Sequence, residues 1–185
     1  MLMNTTALIV IDVQESFRQR EAWNRIDTPD IDERIARLVD HARAAGQDVI
    51  WVLHAEPGSG GEFDPELGHV RLLPGLKPEP GEPTVTKTSH NAFTTTNLAQ
   101  QLVERGTREV VITGIRTEQC CETTARVASD LGYEVRFVLD ATATDPLPLW
   151  DGSGELTAAQ VKERTAAALH GRFAEVVTIE QVLSS

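Results

Sequence analysis

Short aliphatic runs that stop at a polar residue recur along the chain, and they constrain its fold more than any other feature. Ala7-Leu8-Ile9-Val10-Ile11 stops at Asp12, and Val49-Ile50-Trp51-Val52-Leu53 stops at His54. Each is too short for a helix core and rich in β-branched residues, which suits strands covered on both faces. Thr84-Val85-Thr86-Lys87, Val110-Val111-Ile112-Thr113, Val135-Arg136-Phe137-Val138-Leu139 and Val176-Val177 supply further strands. Helical patterns lie between them. Asp30 stands where it can cap a helix over 31–45, with Glu33 at the capping-box position, Ile35, Leu38, Val39 and Ala42 on one face, and Gly46 at the end. Helices are also predicted over 97–105 and 119–131, and from a Thr157/Gln160 capping box through Leu169, with Thr178 capping a terminal turn.

Strands alternating with helices imply a parallel sheet covered on both faces, and right-handed crossovers bring the carboxyl ends of the strands to one edge, where such folds bind ligands. The expected fold is a three-layer α/β/α sandwich, Rossmann-like, with a mostly parallel six-stranded sheet. With 185 residues, no repeat and no linker-like boundary, residues 1–185 read as one domain. The glycine- and proline-rich stretch 55–83 is long for a loop, which marks it as functional, disordered or an oligomer contact.

Composition narrows the function. Apolar residues make up 41% and charged residues 24%, the balance of a chain that buries a core. Acidic residues outnumber basic ones 28 to 17, a formal charge of −11, and no dense basic stripe is present, so nucleic acid and anionic membrane are not expected partners. The first apolar run is broken by Asp12 and lacks the basic start of an export signal, and no run approaches the ~20 residues of a membrane helix. The two cysteines, Cys120 and Cys121, are adjacent and poorly placed to staple a loop, so free thiols and a cytoplasmic location are expected.

Asp12 ends the first strand, Lys87 ends the third, and Cys120 lies where the loop after the fourth strand enters a helix. Topology therefore gathers an acid, a base and a thiol at one edge. A helix N-terminus and a lysine both favour thiolate, so a lowered thiol pKa is expected. An aspartate within reach could take the thiol proton during attack on a carbonyl and return it to a departing amine. Each residue also has a plainer role open to it: Asp12 as a turn residue, Cys120 or Cys121 as a small buried apolar group, Lys87 as a solvated charge.

Longer motifs surround these three positions. Asp12-Val13-Gln14-Glu15-Ser16-Phe17 resembles the Asp-x-Gln-x-x-Phe opening of the isochorismatase-like cysteine hydrolases, the superfamily of nicotinamidases and N-carbamoylsarcosine amidases. Lys87 with Asn91-Ala92-Phe93, Thr96 and Leu98 resembles its lysine segment. Gly114-Ile115-Arg116-Thr117-Glu118-Gln119-Cys120-Cys121, then Thr123, Thr124, Ala125, Arg126 and Ala128, resembles its nucleophile segment. The segments occur in family order, and Gly132-Tyr133-Glu134-Val135 and Asp140-Ala141 extend the likeness through most of the chain.

The resemblance implies a catalytic set of Asp12, Lys87 and Cys120. It selects Cys120, six residues after Gly114, over Cys121, which stands in the usual valine position. It also implies a cis peptide between Ile115 and Arg116, with the amides of Arg116 and Cys120 as oxyanion hole. Gln14, Phe17, His54, Phe93 and Trp150 are the expected substrate-binding residues, with Trp23 a further aromatic of the same kind. Arg116 is read either as pairing with an anionic substrate group or as facing solvent. Relatives that form dimers or tetramers suggest a homo-oligomer.

The chain departs from nicotinamidases where they carry metal-holding Asp-x-His, since His54-Ala55-Glu56-Pro57 stands there. His54, Glu56 and His69 offer nitrogen and oxygen atoms, but hydrogen bonding at a pocket is the better expectation, so neither metal nor cofactor is predicted. Isochorismatases proper, which cleave a vinyl ether, generally lack the cysteine. The leading expectation is a hydrolase that cleaves a carbon–nitrogen bond of a small amide or ureide through a thioester. A thiol redox sensor, an isochorismatase-type ether hydrolase and a non-catalytic binding protein are the alternatives.

Overall fold

A computed structural model describes residues 5–185; Met1–Asn4, part of the stretch read above for an export signal, lie outside it. The first strand, β1 (Thr5–Ile11), takes the centre of the sheet because it is apolar on both faces. Alternation along a strand sends Leu8 and Val10 into one core layer and Ala7, Ile9 and Ile11 into the other. Around it lie β2 (Asp48–His54), β3 (Thr84–Lys87), β4 (Thr107–Ile115) and β5 (Glu134–Ala143), as predicted but with β4 and β5 longer at both ends. A small hairpin follows, β6 (Leu147–Pro148) with β7 (Glu155–Leu156), and β8 (Glu175–Val177) forms the last strand of the main sheet.

The main sheet has the order β3-β2-β1-β4-β5-β8, and every neighbouring pair is parallel. The chain winds outward from β1 through β2 to β3, then crosses back to the other side of β1 to start β4. That reversal puts the topological switch point, where ligands bind in such sheets, at the carboxyl ends of β1 and β4.

Helices α1 (Ile31–Ala44) and α5 (Ile179–Leu183) pack on the face that buries Leu8, Val10 and Trp51. Helices α2 (Leu98–Glu104), α3 (Glu122–Asp130) and α4 (Ala158–Leu169) cover the face that buries Ile9, Ile11 and Ile112. Thr157 with Gln160, and Thr178 with Gln181, form complete capping boxes. The box expected at Asp30 and Glu33 does not form: Asp30 sits at the N-cap without capping, because Arg34 one turn on holds its carboxylate at 3.0 Å. No helix among the described residues is long and apolar enough to cross a membrane.

Gly114 decides how closely β1 and β4 approach at the switch point. Its φ of 134° suits glycine, and a Cβ built there would overlap the Ile11 carbonyl. Gly114→Ala is therefore expected to cost at least about 3 kcal/mol through strain and overpacking, read as a lowered urea midpoint. A loss below about 1 kcal/mol would mean that this close approach is not needed.

Candidate active site

Three adjacent strands end in the three polar residues that start the site: Asp12 after β1, His54 on β2 and Lys87 on β3. His54 and Lys87 face one another in register. Asp12 has φ 53°, a conformation few non-glycine residues adopt, and its amide donates to the Val52 carbonyl at 2.8 Å. This turns the chain out of the sheet while the carboxylate stays inside. Asp12 and Lys87 are both fully buried, with Lys87 Nζ 2.8 Å from Asp12 Oδ2. This contact is a buried ion pair, and both the ammonium and the Cys120 thiol are hydrogen-bonding neighbours of the carboxylate.

Cys120 comes from the other side of the switch point. The expected helix over 119–131 instead begins with a π-helical turn, Thr117–Cys121, which closes with the Cys121 amide on the Arg116 carbonyl at 3.2 Å before α3 starts at Glu122. Such wide turns recur at functional sites because they redirect single side chains. Here the turn holds Cys120 Sγ 3.4 Å from Lys87 Nζ, while Cys121 is fully buried in the core. The peptide between Ile115 and Arg116 is cis, as the resemblance implies. Buried Glu122 anchors α3 by accepting from Arg126 on the same helix and from Arg164 and Thr165 on α4, at 2.6–3.1 Å.

Electrostatics correct one expectation. Burial, reinforced by the Asp12 carboxylate, pushes the Cys120 thiol up to about 12, and Lys87 offsets only part of that. The lowered pKa expected from a helix N-terminus and a lysine therefore does not arise. Cys121 is likewise pushed well above the ordinary thiol range, chiefly by burial. Burial also lifts the Asp12 carboxyl above its ordinary range against the opposing pull of Lys87. The resting site thus sets a protonated thiol beside a carboxylate, an arrangement from which general-base attack could start.

The residues expected to bind substrate divide. Phe17 meets Phe63 edge-on at 5.0 Å, and Phe63 meets the His54 ring at 5.5 Å, forming an aromatic wall at the end of β2. Phe63 was not singled out from the sequence, where it is an isolated aromatic in the glycine- and proline-rich stretch. Phe93 stacks on Tyr133 at 6.3 Å, in the core layer that also holds Cys120. Gln14 is fully buried: its amide donates to the His54 carbonyl and to Ser16 Oγ, and it accepts from the His54 amide at 2.8 Å. Both of its N–H groups are thereby taken, so Gln14 fixes the end of β2 and has no N–H left for a ligand. Trp150 is 96% exposed on the β6–β7 turn and stands in solvent within one copy of the chain.

Arg116 does not face solvent. It is 8% exposed, lies 3.0 Å from both Glu118 Oε1 and Asp145 Oδ1, and donates to the Asp145 carbonyl at 3.3 Å. Two carboxylates hold its guanidinium back against the chain, away from solvent and already paired. Among the described residues His54, Glu56 and His69 do not form a three-ligand cluster.

Comparison with known proteins follows the same lines. The family model described as "Isochorismatase domain" matches residues 6–181. Streptothricin hydrolase of Streptomyces noursei is 33% identical over 173 residues, 92% of this chain and 67% of that protein. Ureidoacrylate amidohydrolase RutB of Methylorubrum extorquens is 29% identical over 217 residues, 98% of this chain and 84% of that protein. A crystal structure of a hydrolase of the isochorismatase family from Chromobacterium violaceum superposes with TM-score 0.91 at 26% identity, covering 100% of this chain and 94% of that one.

Removing one member of a buried ion pair leaves the other uncompensated. Lys87→Met should therefore destabilise the chain by about 3 kcal/mol in urea denaturation, and Lys87→Met combined with Asp12→Asn should recover most of that loss. A double variant no more stable than Lys87→Met would show that the pair is not the coupled unit described.

Proposed function

The chain belongs to the isochorismatase family, and from that premise we propose that it hydrolyses a carbon–nitrogen bond of a small amide or ureide through Cys120. The convergence of Lys87 Nζ on both Asp12 Oδ2, at 2.8 Å, and Cys120 Sγ, at 3.4 Å, in a buried site carries the reading. Two relatives support the substrate class, one named for hydrolysis of streptothricin and one as an amidohydrolase of ureidoacrylate.

Sγ attacks the carbonyl carbon while its proton passes to Asp12. The amides of Arg116 and Cys120 receive the developing oxyanion, and the carbon–nitrogen bond breaks as Asp12 returns the proton to nitrogen. Water then attacks the thioester with Asp12 again as base, and the carbon–sulfur bond breaks to restore the thiol. Lys87 keeps Asp12 ionised and stabilises charge on sulfur. Phe17, Phe63 and Phe93 supply apolar surface for the substrate. Two free thiols fit a reducing compartment, so the proposed location is the cytoplasm.

The thiol pushed up to about 12 counts against a redox sensor, which needs thiolate at neutral pH. Arg116 is already paired, so recognition of an anionic substrate group would fall to another cation.

The test is ammonia release from a panel of primary amides and ureides. Cys120→Ala and Asp12→Asn should each lower kcat/KM at least about a thousandfold with the fold intact. Asp12 must be ionised to act as base, and burial raises its pKa, so activity should fall on acidification at a pH above the ordinary carboxylate range. Activity that survives Cys120→Ala would overturn the reading.

A further inference from the structure

Lys87 is more constrained than its two catalytic partners require. An ammonium has three N–H groups and no acceptor. Around Lys87 Nζ stand three acceptors: Asp12 Oδ2 at 2.8 Å, Cys120 Sγ at 3.4 Å and His54 Nδ1 at 3.2 Å. We propose that His54, braced by Glu56, is a positioning residue that takes the third N–H of Lys87 and so aims the other two at Asp12 and Cys120.

The inference rests on the reading of Cys120 as nucleophile. An ammonium only donates, so His54 Nδ1 must be an acceptor and the neutral ring carries its proton on Nε2. Nε2 lies 3.2 Å from Glu56 Oε1, an acceptor that matches this tautomer. The ring is pinned on its remaining sides. Phe63 packs edge-on against it, and the Gln14 amide grips the His54 backbone from both sides, through its N–H and its carbonyl.

The charged groups facing the ring are Lys87, Asp12 and Glu56. Burial and the ammonium together hold His54 below the ordinary histidine range, so it stays neutral where the site works. A cation at this position would lie 3.2 Å from another cation. His54 is thus the neutral member in a row of charges that runs from Asp12 through Lys87 to Glu56 at the surface. It gives Lys87 an acceptor without adding a second negative charge to compete with Asp12.

The test needs no substrate. Iodoacetamide alkylation of Cys120 in the full chain, followed by mass spectrometry, reports how well Lys87 stabilises the thiolate. His54→Ala should slow alkylation about tenfold, the worth of a hydrogen bond to a charged group, and His54→Asn should recover most of that loss by restoring an acceptor. Both variants remove the bulk of the ring, so a change in access alone would affect them alike. In a Lys87→Met background His54→Ala should add nothing further, because the two act through one contact. The proposal is overturned if His54→Ala alkylates as fast as the parent, if Ala and Asn behave alike, or if the Ala effect persists without Lys87. Should Lys87→Met fail to fold, the Ala and Asn pair decides the matter. Absence of an acylated Cys120 during turnover would defeat the hydrolase reading and leave this comparison standing.

Discussion

The buried contact between Asp12 and Lys87 governs the rest of the structure. Taking both charges from water costs several kcal/mol per ion, and the pair repays that only when its geometry is held closely. Holding it falls to the sheet. The two residues stand at the carboxyl ends of β1 and β3, which are not neighbours, so the pair must pass over the end of β2. Its length therefore depends on the register of three strands together. Gln14 fixes the end of the middle strand, and Gly114 lets β4 close against β1, which sets where the nucleophile turn begins.

From this follows an unusual assignment of charge. Cys120 meets a cation and an anion at once in a buried site, and burial decides the balance by keeping the thiol protonated. On the proposed mechanism the thiol reacts as its proton moves to Asp12, and one carboxylate serves both halves of a double displacement.

Much of this was legible in the sequence, for physical reasons. Apolar runs buried on two faces mark strands of a parallel sheet, and the residue at which each run stops lies at the ligand edge, so Asp12, His54 and Lys87 could be placed without coordinates. What escaped depended on competition between distant groups. Asp30 had the residue type and place of a cap, but Arg34 took its carboxylate. Arg116 looked free because Asp145, its partner, is far along the chain. Cys120 had the neighbours that lower a thiol pKa, but the depth of burial, which sequence does not report, outweighed them. Phe63 had no periodic neighbours to announce it.

The central claim is that Cys120 carries the substrate's acyl group during turnover. Its most direct test is intact-mass measurement of the chain quenched during incubation with the panel of amides and ureides. The account predicts a mass increase equal to the acyl fragment, located on the peptide that contains Cys120 and absent from Cys120→Ala. Hydrolysis of a panel compound with no adduct on Cys120, or with one on Cys121, would contradict it.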